Sequence, residues 1–132
     1  MAVEPLIEKW QGKVSQVTIG ATVKDGGTRS HPVVVGGETG LPFIPDVSAM
    51  PNKPVVAFEI WDIAPADWPE EIAAAYRKVW NDPFAWAQSC VADYKAQLLC
   101  VRLQGSHPDS GSKTAAQQQK FIAELLKKVK VP

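Results

Sequence analysis

The sequence predicts an α/β fold: the leading part of a β/α barrel of the TIM type, preceded by an antiparallel hairpin. Two short segments, residues 54–62 and 98–104, are apolar and rich in β-branched or aromatic residues, which is typical of strands buried on both faces. Helical patterns follow both segments, and strands joined by helical crossovers pair in parallel. Two parallel strands make no stable sheet alone. A closed barrel takes about 250 residues, so we expect the barrel to be incomplete in this chain of 132 residues.

The N-terminal part, residues 1–46, predicts a hairpin and a connector. The strand-like segment 14–19 and the valines 33–35 enclose an Asp-Gly-Gly-Thr turn sequence, which indicates antiparallel pairing. The glycine-rich stretch 36–43 lacks the spacing of a dinucleotide motif and has no P-loop lysine. We therefore predict a backbone bend there rather than a phosphate site. Residues 44–53 form a connector interrupted by prolines.

Residues 47–132 are predicted to form the first two β/α units of the barrel. Alternation within the first strand directs one set of side chains toward the covering helices: Val56, Phe58 and Ile60. The opposite set faces the barrel interior: Val55, Ala57, Glu59 and Trp61. The second strand repeats this parity, with its helix-facing residues at Leu99, Val101 and Leu103. Its interior set is Leu98, Cys100, Arg102 and Gln104.

Two helices are predicted between these strands. Pro69 and Pro83 each stand where a first helical residue is expected, and Asp82 is a suitable N-cap for the second helix. The helix 83–94 is predicted to bury one face, consisting of Phe84, Ala87, Val91 and Tyr94. Trp86 is expected to pack in the core rather than stack on a ligand.

The last third of the chain predicts a turn-rich loop and a long helix. Residues 105–111 are of types that favour turns, and Ser112 is the predicted N-cap of the helix that follows. One apolar stripe of this helix consists of Ile122, Leu125, Leu126 and Val129. A third strand is expected to begin within residues 129–132. We therefore expect a truncated chain, a split gene, or a second chain that completes the sheet.

Composition narrows the possible partners and the compartment. The 14 basic and 14 acidic residues give a formal net charge of zero, which argues against nucleic acid or an anionic membrane as the main partner. No apolar run has transmembrane length, and the N-terminus lacks the pattern of a signal peptide. Cys90 and Cys100 are predicted to be buried core thiols in a reducing compartment, so we expect a cytoplasmic protein.

The polar residues near the strand ends are the first candidates for function, because chemistry gathers at the carboxyl ends of parallel strands. Glu59, Trp61 and Asp62 end the first strand, and Arg102 lies late in the second. Glu59 and Arg102 are each the only formal charge on the inner face of their strand, and an unpaired buried charge is costly. We predict that they face each other, directly or through one water, at the barrel mouth. The alternative is that either side chain reaches solvent.

No pattern in the sequence predicts a catalytic residue or a metal ligand. His31 and His107 do not belong to the Asp-x-His-x-x-Gly run that histidine-on corrinoid binding needs, and two cysteines cannot supply the four thiolates of an iron–sulfur cluster. So few histidines suggest no nucleophile set either. His107, beside a proline, is expected to be a solvated loop residue.

Several short motifs occur in order along nearly the whole chain, and they indicate a particular family more specifically than composition does. They are Gly-Gly-Thr-Arg-Ser-His at 26–31, Val-Gly-Gly-Glu at 35–38, Leu-Pro-Phe at 41–43, Asn-Lys-Pro at 52–54, Glu-Ile-Trp-Asp at 59–62, Asp-Pro at 82–83, Trp-Ala at 86–87, and Arg-Leu-Gln-Gly at 102–105 with Pro108. This series resembles the N-terminal portion of the corrinoid iron–sulfur protein small subunit, which is also the delta subunit of the acetyl-CoA decarbonylase/synthase complex. Gln104 departs from that pattern, in which an acidic residue is common.

The resemblance implies a non-catalytic barrel that forms a heterodimer with a large subunit carrying the corrinoid domain and an iron–sulfur cluster. That pair carries a methyl group from a methyl-pterin methyltransferase to acetyl-CoA synthase, in anaerobic one-carbon metabolism, and meets both enzymes transiently. The corrinoid would be held mainly by the large subunit, and this chain alone would bind none. The residues that would face a corrinoid or pterin are Glu59, Asp62, Arg102 and Gln104.

Two other hypotheses stay open beside this one. The chain could belong to a pterin-dependent methyltransferase on the same kind of barrel, in which case Glu59, Asp62 and Arg102 would bind the pterin. It could also be an inactive fragment.

Overall fold

The computed structural model describes residues 11–40 and 49–132. Its strands are β1 (Val17–Ile19), β2 (Val33–Val35), β3 (Phe58–Trp61) and β4 (Leu99–Arg102). Its α-helices are α1 (Glu70–Tyr76), α2 (Pro83–Ala92) and α3 (Ala115–Lys128). Three single 3-10 turns lie at Val23–Asp25, Gln104–Ser106 and Pro108–Ser110. The Leu-Pro-Phe motif and most of the predicted connector lie outside the described residues.

The predicted N-terminal hairpin is confirmed. β1 and β2 pair antiparallel, with Val17 opposite Val35 and Ile19 opposite Val33. The predicted backbone bend follows directly, because Gly36 and Gly37 have φ values of 84° and 90°. A Cβ at Gly36 would also collide with the carbonyl oxygen of Ser15, so this bend requires glycine on two counts.

The second pair of strands is parallel, as predicted, but both strands are shorter than predicted. β3 and β4 pair from Phe58 opposite Leu99 to Trp61 opposite Arg102. Residues 54–57 are not strand, and Val56 is 74% exposed. Leu103 and Gln104 leave the ladder for a 3-10 turn. A proline at position 54 cannot donate to a ladder, and pairing continues only where a neighbouring strand offers partners.

Only one face of this two-stranded sheet is buried, which corrects the prediction of strands buried on both faces. The helices cover Phe58, Ile60, Leu99 and Val101, in the predicted parity. On the opposite face, which we call the open sheet face, Glu59, Cys100 and Arg102 are exposed. The expectation that Cys100 is a core thiol is therefore wrong for this chain, because no described element packs over that face.

The chain returns to the outer edge of β4 after α3. The N–H groups of Phe58 and Asp62 donate to the carbonyls of Leu98 and Arg102, and alternate residues of a strand direct their backbone groups to opposite neighbours. The N–H of Leu99 therefore points away from β3, and it donates to the Pro132 carbonyl at 2.9 Å. Val129 has extended backbone angles. This placement is compatible with a third strand beginning here, which stays a prediction.

The core lies between the sheet and the helices and is strongly aromatic. Ile60, Trp86 and Cys90 are its largest fully buried side chains. Trp68 contacts four aromatic rings at centroid distances of 5.5–6.4 Å, namely Trp61, Tyr76, Trp80 and Trp86. The prediction that Trp86 packs in the core is confirmed. Tyr94 is 44% exposed, because α2 ends at Ala92 and Tyr94 leaves the helical face.

Helix ends match the predictions in part. Asp82 accepts hydrogen bonds from the N–H groups of Phe84 and Ala85 at 2.9 and 3.3 Å, which confirms it as the N-cap of α2. Pro69 occupies the N-cap position of α1 rather than its first turn. α3 is capped by Thr114 and not by Ser112. Thr114 forms a capping box with Gln117, whereas Ser112 has a φ of 50°.

The Gly-Gly-Thr-Arg-Ser-His motif joins the hairpin to the end of α3. The Arg29 guanidinium donates to the carbonyls of Leu126 and Val129 at 2.7 and 2.8 Å. These carbonyls stand at a helix C-terminus, where a cation also complements the helix dipole. Ser30 N–H donates to the Lys130 carbonyl, and a ring nitrogen of His31 lies 3.1 Å from the Gln97 carbonyl. The motif therefore has a structural role: it acts as a clamp that holds the hairpin against the chain at the end of α3 and before β4.

Among the helices of residues 11–40 and 49–132, none is long and apolar enough to cross a membrane. Within the same residues, no three His, Cys, Asp or Glu side chains come together as a metal site would require.

Candidate functional site

An open cleft of about 680 Å³ lies at the carboxyl ends of β3 and β4. Residues from both strand ends, the segment before α1 and the loop before α3 line it: Trp61, Ile63, Ala64, Ala66, Asp67, Trp68, Arg102, Gln104, Asp109 and Ser110. We call it the strand-end cleft. Its position is the one at which parallel α/β proteins collect their functional groups.

Arg102 is the central polar group of the strand-end cleft. Its guanidinium carbon lies 4.6 Å from the centroid of the Trp61 ring, which is a cation–π distance. Its Nε donates to Oε1 of Gln104 at 3.0 Å, and the Gln104 amide donates to Oγ of Ser110 at 3.1 Å. The hydrogen-bonded row from Arg102 to Ser110 forms one wall, and the indole of Trp61 forms part of the floor.

Glu59 and Arg102 face each other, but not as a buried pair. Oε1 of Glu59 lies 3.9 Å from Nη1 of Arg102, at the outer limit of an ion pair. The nearer partner of Glu59 is the indole N–H of Trp61, which donates to it at 2.6 Å. The two charged side chains are 47% and 52% exposed, so water satisfies much of both charges. The predicted neighbourhood is correct, and the predicted burial is wrong in this chain.

Asp62 lies beneath the strand-end cleft and does not line it. Its side chain is fully buried and accepts hydrogen bonds from three groups: Gly105 N–H at 2.8 Å, the Lys113 ammonium at 3.0 Å and the Gln118 amide at 2.6 Å. The position corrects the expectation that Asp62 faces a cofactor, because internal donors occupy its carboxylate. Burial raises the pKa of Asp62, but these hydrogen bonds and the Lys113 charge outweigh it and hold the pKa below the usual value of an aspartate.

Gly105 is what allows this carboxylate to approach the loop. A Cβ at residue 105 would lie 2.6 Å from Oδ2 of Asp62 and 2.8 Å from Cδ of Lys113. Such contacts are far inside van der Waals separation, so any side chain at this position would displace the ion pair. The glycine of the Arg-Leu-Gln-Gly motif is therefore required for close packing.

Several residues of this region were not predicted from the sequence. Lys113 and Gln118 hold Asp62, while Trp68, Asp109 and Ser110 line the strand-end cleft. Only Gln118 could have been predicted from a pattern in the sequence. Gln118 precedes Leu125 by seven residues, which places a polar amide on the buried stripe of α3, and such a group needs a buried partner. The others are loop residues without a periodic pattern.

Comparison with known families identifies the chain. Residues 16–132 match the family of the CO dehydrogenase/acetyl-CoA synthase delta subunit. The chain belongs to this family. The resemblance predicted from the motifs is thereby confirmed.

Curated archaeal proteins of the same kind align along nearly the whole chain. Each is named acetyl-CoA decarbonylase/synthase complex subunit delta. The protein from Archaeoglobus fulgidus is 33% identical over 98% of this chain, and that from Methanocaldococcus jannaschii is 32% identical over 98%. The protein from Methanopyrus kandleri is 34% identical over 92%. This chain spans only 28%, 31% and 30% of these relatives, respectively.

Proposed function

We propose that this chain acts as part of a delta subunit of an acetyl-CoA decarbonylase/synthase complex, where it supports methyl transfer without catalysing it. In this proposal the chain is the leading part of a β/α barrel. It covers a corrinoid held by a large subunit that also carries an iron–sulfur cluster, while the methyl group passes from a methyl-pterin to acetyl-CoA synthase. The methyltransferase and the synthase are transient partners.

One observation carries the proposal: a polar cleft stands at the carboxyl ends of two parallel strands in a member of this family. Its groups are suited to contact rather than to reaction. Arg102, Gln104 and Ser110 form a donor-rich wall, and Trp61 offers an aromatic surface. The lining also contains the carboxylates of Asp67 and Asp109, which can accept hydrogen bonds from the amide N–H groups of a ligand.

The residues of the strand-end cleft fit one side of a large planar group. A corrinoid carries amide side chains around a macrocycle, and the guanidinium of Arg102 and the amide of Gln104 can donate to amide carbonyls. The cleft is open to solvent, so it can cover such a group but not enclose it. This chemistry fits a corrinoid held mainly by another subunit. When bound there, the corrinoid supplies the methyl-carrying cobalt.

A binding experiment with the corrinoid-loaded large subunit tests the proposal. We expect the chain to bind it in isothermal titration calorimetry and to alter the visible absorption of its corrinoid. Arg102→Glu should weaken binding at least about tenfold, a loss of about 1.4 kcal/mol. Arg77→Glu is the matched control, because Arg77 is an exposed arginine of the α1 C-terminus away from the cleft.

The same experiment separates the other hypotheses. Binding of a methyl-pterin to the chain alone, reduced by Arg102→Glu, would favour a pterin-dependent methyltransferase. Failure to bind either the large subunit or a pterin would favour an inactive fragment. Purified alone, the chain should be colourless, and stoichiometric cobalt or iron in elemental analysis would contradict the proposal.

A further inference from the structure

The loop before α3 is held at its base by a buried polar cluster. The N–H of Lys113 donates to the Gly105 carbonyl at 2.8 Å, which closes the loop of residues 105–113. The Lys113 ammonium then donates to both the carbonyl and the carboxylate of Asp62, at 2.8 and 3.0 Å. Oδ2 of Asp62 also accepts from Gln118 of α3 at 2.6 Å. One carboxylate thus joins the end of β3, the base of the loop and α3.

Trp61 and Gln104 of the cleft lining are directly adjacent in sequence to members of this cluster. Asp62 directly follows Trp61 of the cleft floor, and Gly105 directly follows Gln104 of the polar wall. Asp109 and Ser110, farther along the same loop, also line the cleft. The Gln118 amide reaches the loop a second time, because it donates to Oγ of Ser106 at 2.9 Å. The cluster is therefore connected both to Trp61 at the end of β3 and to the loop residues that line the cleft.

Apart from this cluster, the loop is held by short-range hydrogen bonds among residues 103–113. Its segments are single 3-10 turns, and residues Gly111 and Ser112 have φ values of 148° and 50°. Such backbone persists only where surrounding contacts determine it. The Asp62 side chain is fully buried, whereas the Lys113 side chain is 32% exposed, so the ion pair is shielded mainly on the carboxylate side.

We propose that the Asp62–Lys113 ion pair is a latch that positions the loop 105–113, and through it the Gln104–Ser110 wall of the strand-end cleft. Asp62 and Lys113 are then positioning residues, which act on a bound partner through Gln104 and Ser110. This inference rests on the proposed function only for the identity of that partner. The latch itself belongs to the isolated chain.

Hydrogen–deuterium exchange on the 132-residue chain tests the latch without any ligand. Lys113→Met removes the charge partner of Asp62 and keeps the alkyl stem. We expect amide exchange to rise at least about tenfold across residues 104–112, because the loop loses the charged donor that joins it to Asp62. Exchange in α2 should stay within about twofold of the parent chain. Lys120→Met, on the exposed side of α3, is the matched control and should change neither segment.

Two more variants separate a latch from a general loss of stability. Lys113→Arg keeps the charge and should restore most of the protection of residues 104–112. Gln118→Leu removes the amide that donates to both Asp62 and Ser106 but leaves the ion pair, so its effect on the loop should be smaller than that of Lys113→Met. A uniform rise of exchange in all segments, or unchanged exchange in residues 104–112, would overturn the latch.

Affinity for the large subunit provides a second, separate measurement. If both proposals hold, Lys113→Met weakens binding and Lys113→Arg restores it. If Lys113→Met raises amide exchange in residues 104–112 but leaves the affinity for the large subunit unchanged, the ion pair positions the loop. Its role in the strand-end cleft would then be contradicted. If the parent chain does not bind the large subunit at all, the exchange result still decides the latch, and the proposed function fails by itself.

Discussion

At the scale of single residues, environment decides what each side chain can do. Cys90 and Cys100 have the same thiol, yet Cys90 is buried in the aromatic core and Cys100 is exposed on the open sheet face. Burial raises the pKa of the Cys90 thiol to about 11. Because the thiolate is the reactive form, the two cysteines should differ strongly in reactivity.

We predict that iodoacetamide at pH 8 modifies Cys100 and leaves Cys90 intact in the folded chain. Peptide mass spectrometry after labelling measures both sites, and labelling in urea shows that Cys90 reacts once it is exposed. Cys100→Ser should abolish the fast reaction. Equal labelling of both cysteines under native conditions would contradict the packing of Cys90.

Glu59 and Arg102 illustrate the difference between proximity and energy. Exposed ion pairs contribute about 0–1 kcal/mol, because water screens them and long side chains lose entropy. We predict a coupling free energy of less than about 1 kcal/mol between Glu59→Gln and Arg102→Met in a double-mutant cycle of urea unfolding. A coupling of about 3 kcal/mol or more would indicate that the pair is buried in solution.

At the scale of elements, one arginine makes most of the side-chain contacts between the hairpin and the chain at the end of α3. Besides its bonds to the Leu126 and Val129 carbonyls, the Arg29 guanidinium lies 3.4 Å from the Val131 carbonyl, and Ser30 adds a hydrogen bond to Lys130. The partners of Arg29 are 97 to 102 residues away in sequence, so this contact closes nearly the whole chain. Strand pairing alone does not join the hairpin to the β3–β4 sheet.

We predict that Arg29→Met destabilises the chain by about 2–3 kcal/mol, because several helix-end carbonyls lose a charged donor. Arg29→Lys should recover part of this, since an ammonium cannot reproduce the fork of the guanidinium. Urea unfolding followed by tryptophan fluorescence measures both. Arg77→Met is the control: Arg77 pairs with Glu70 at the surface, and its loss should cost less than about 1 kcal/mol. Equal effects of the two variants would show that the clamp contributes nothing.

At the scale of the whole molecule, the β3–β4 sheet has an unpaired edge and an open face. Within residues 11–40 and 49–132, no element pairs with β3 on the side away from β4. Glu59, Cys100 and Arg102 are exposed on the open sheet face. Both features fit our proposal of a barrel whose remaining strands are not part of this chain, and both invite pairing with other chains.

We predict that the isolated chain self-associates as its concentration rises, until a partner covers this edge. Sedimentation velocity over a range of concentrations measures the association, and the unfolding and exchange experiments use concentrations at which the chain is monomeric. Val56→Lys should reduce association, because Val56 is an exposed apolar residue two positions before β3 and charges on an edge strand oppose pairing. A chain that stays monomeric at every concentration would contradict the prediction.

The sequence by itself determined the features that depend on short-range patterns. Alternation with a period of two assigned the helix-facing residues of β3 and β4, and turn chemistry located the hairpin and the glycine bend. The N-cap Asp82 followed from one residue and its neighbours. The motifs identified the family. Each of these depends on residues close together in the chain, where covalent geometry already limits the choices.

Only the tertiary structure decided what lies against each face. Asp62 follows a strand end, and that position alone suggested a ligand, but its actual partners lie 43, 51 and 56 residues farther along the chain. Alternation assigned Cys100 to the interior of a barrel, yet a side chain is buried only when another element covers it. Arg29 could not be recognised as a clamp, because nothing local shows that the end of α3 returns to the hairpin. Local sequence determines the direction of a side chain, and distant contacts determine its surroundings.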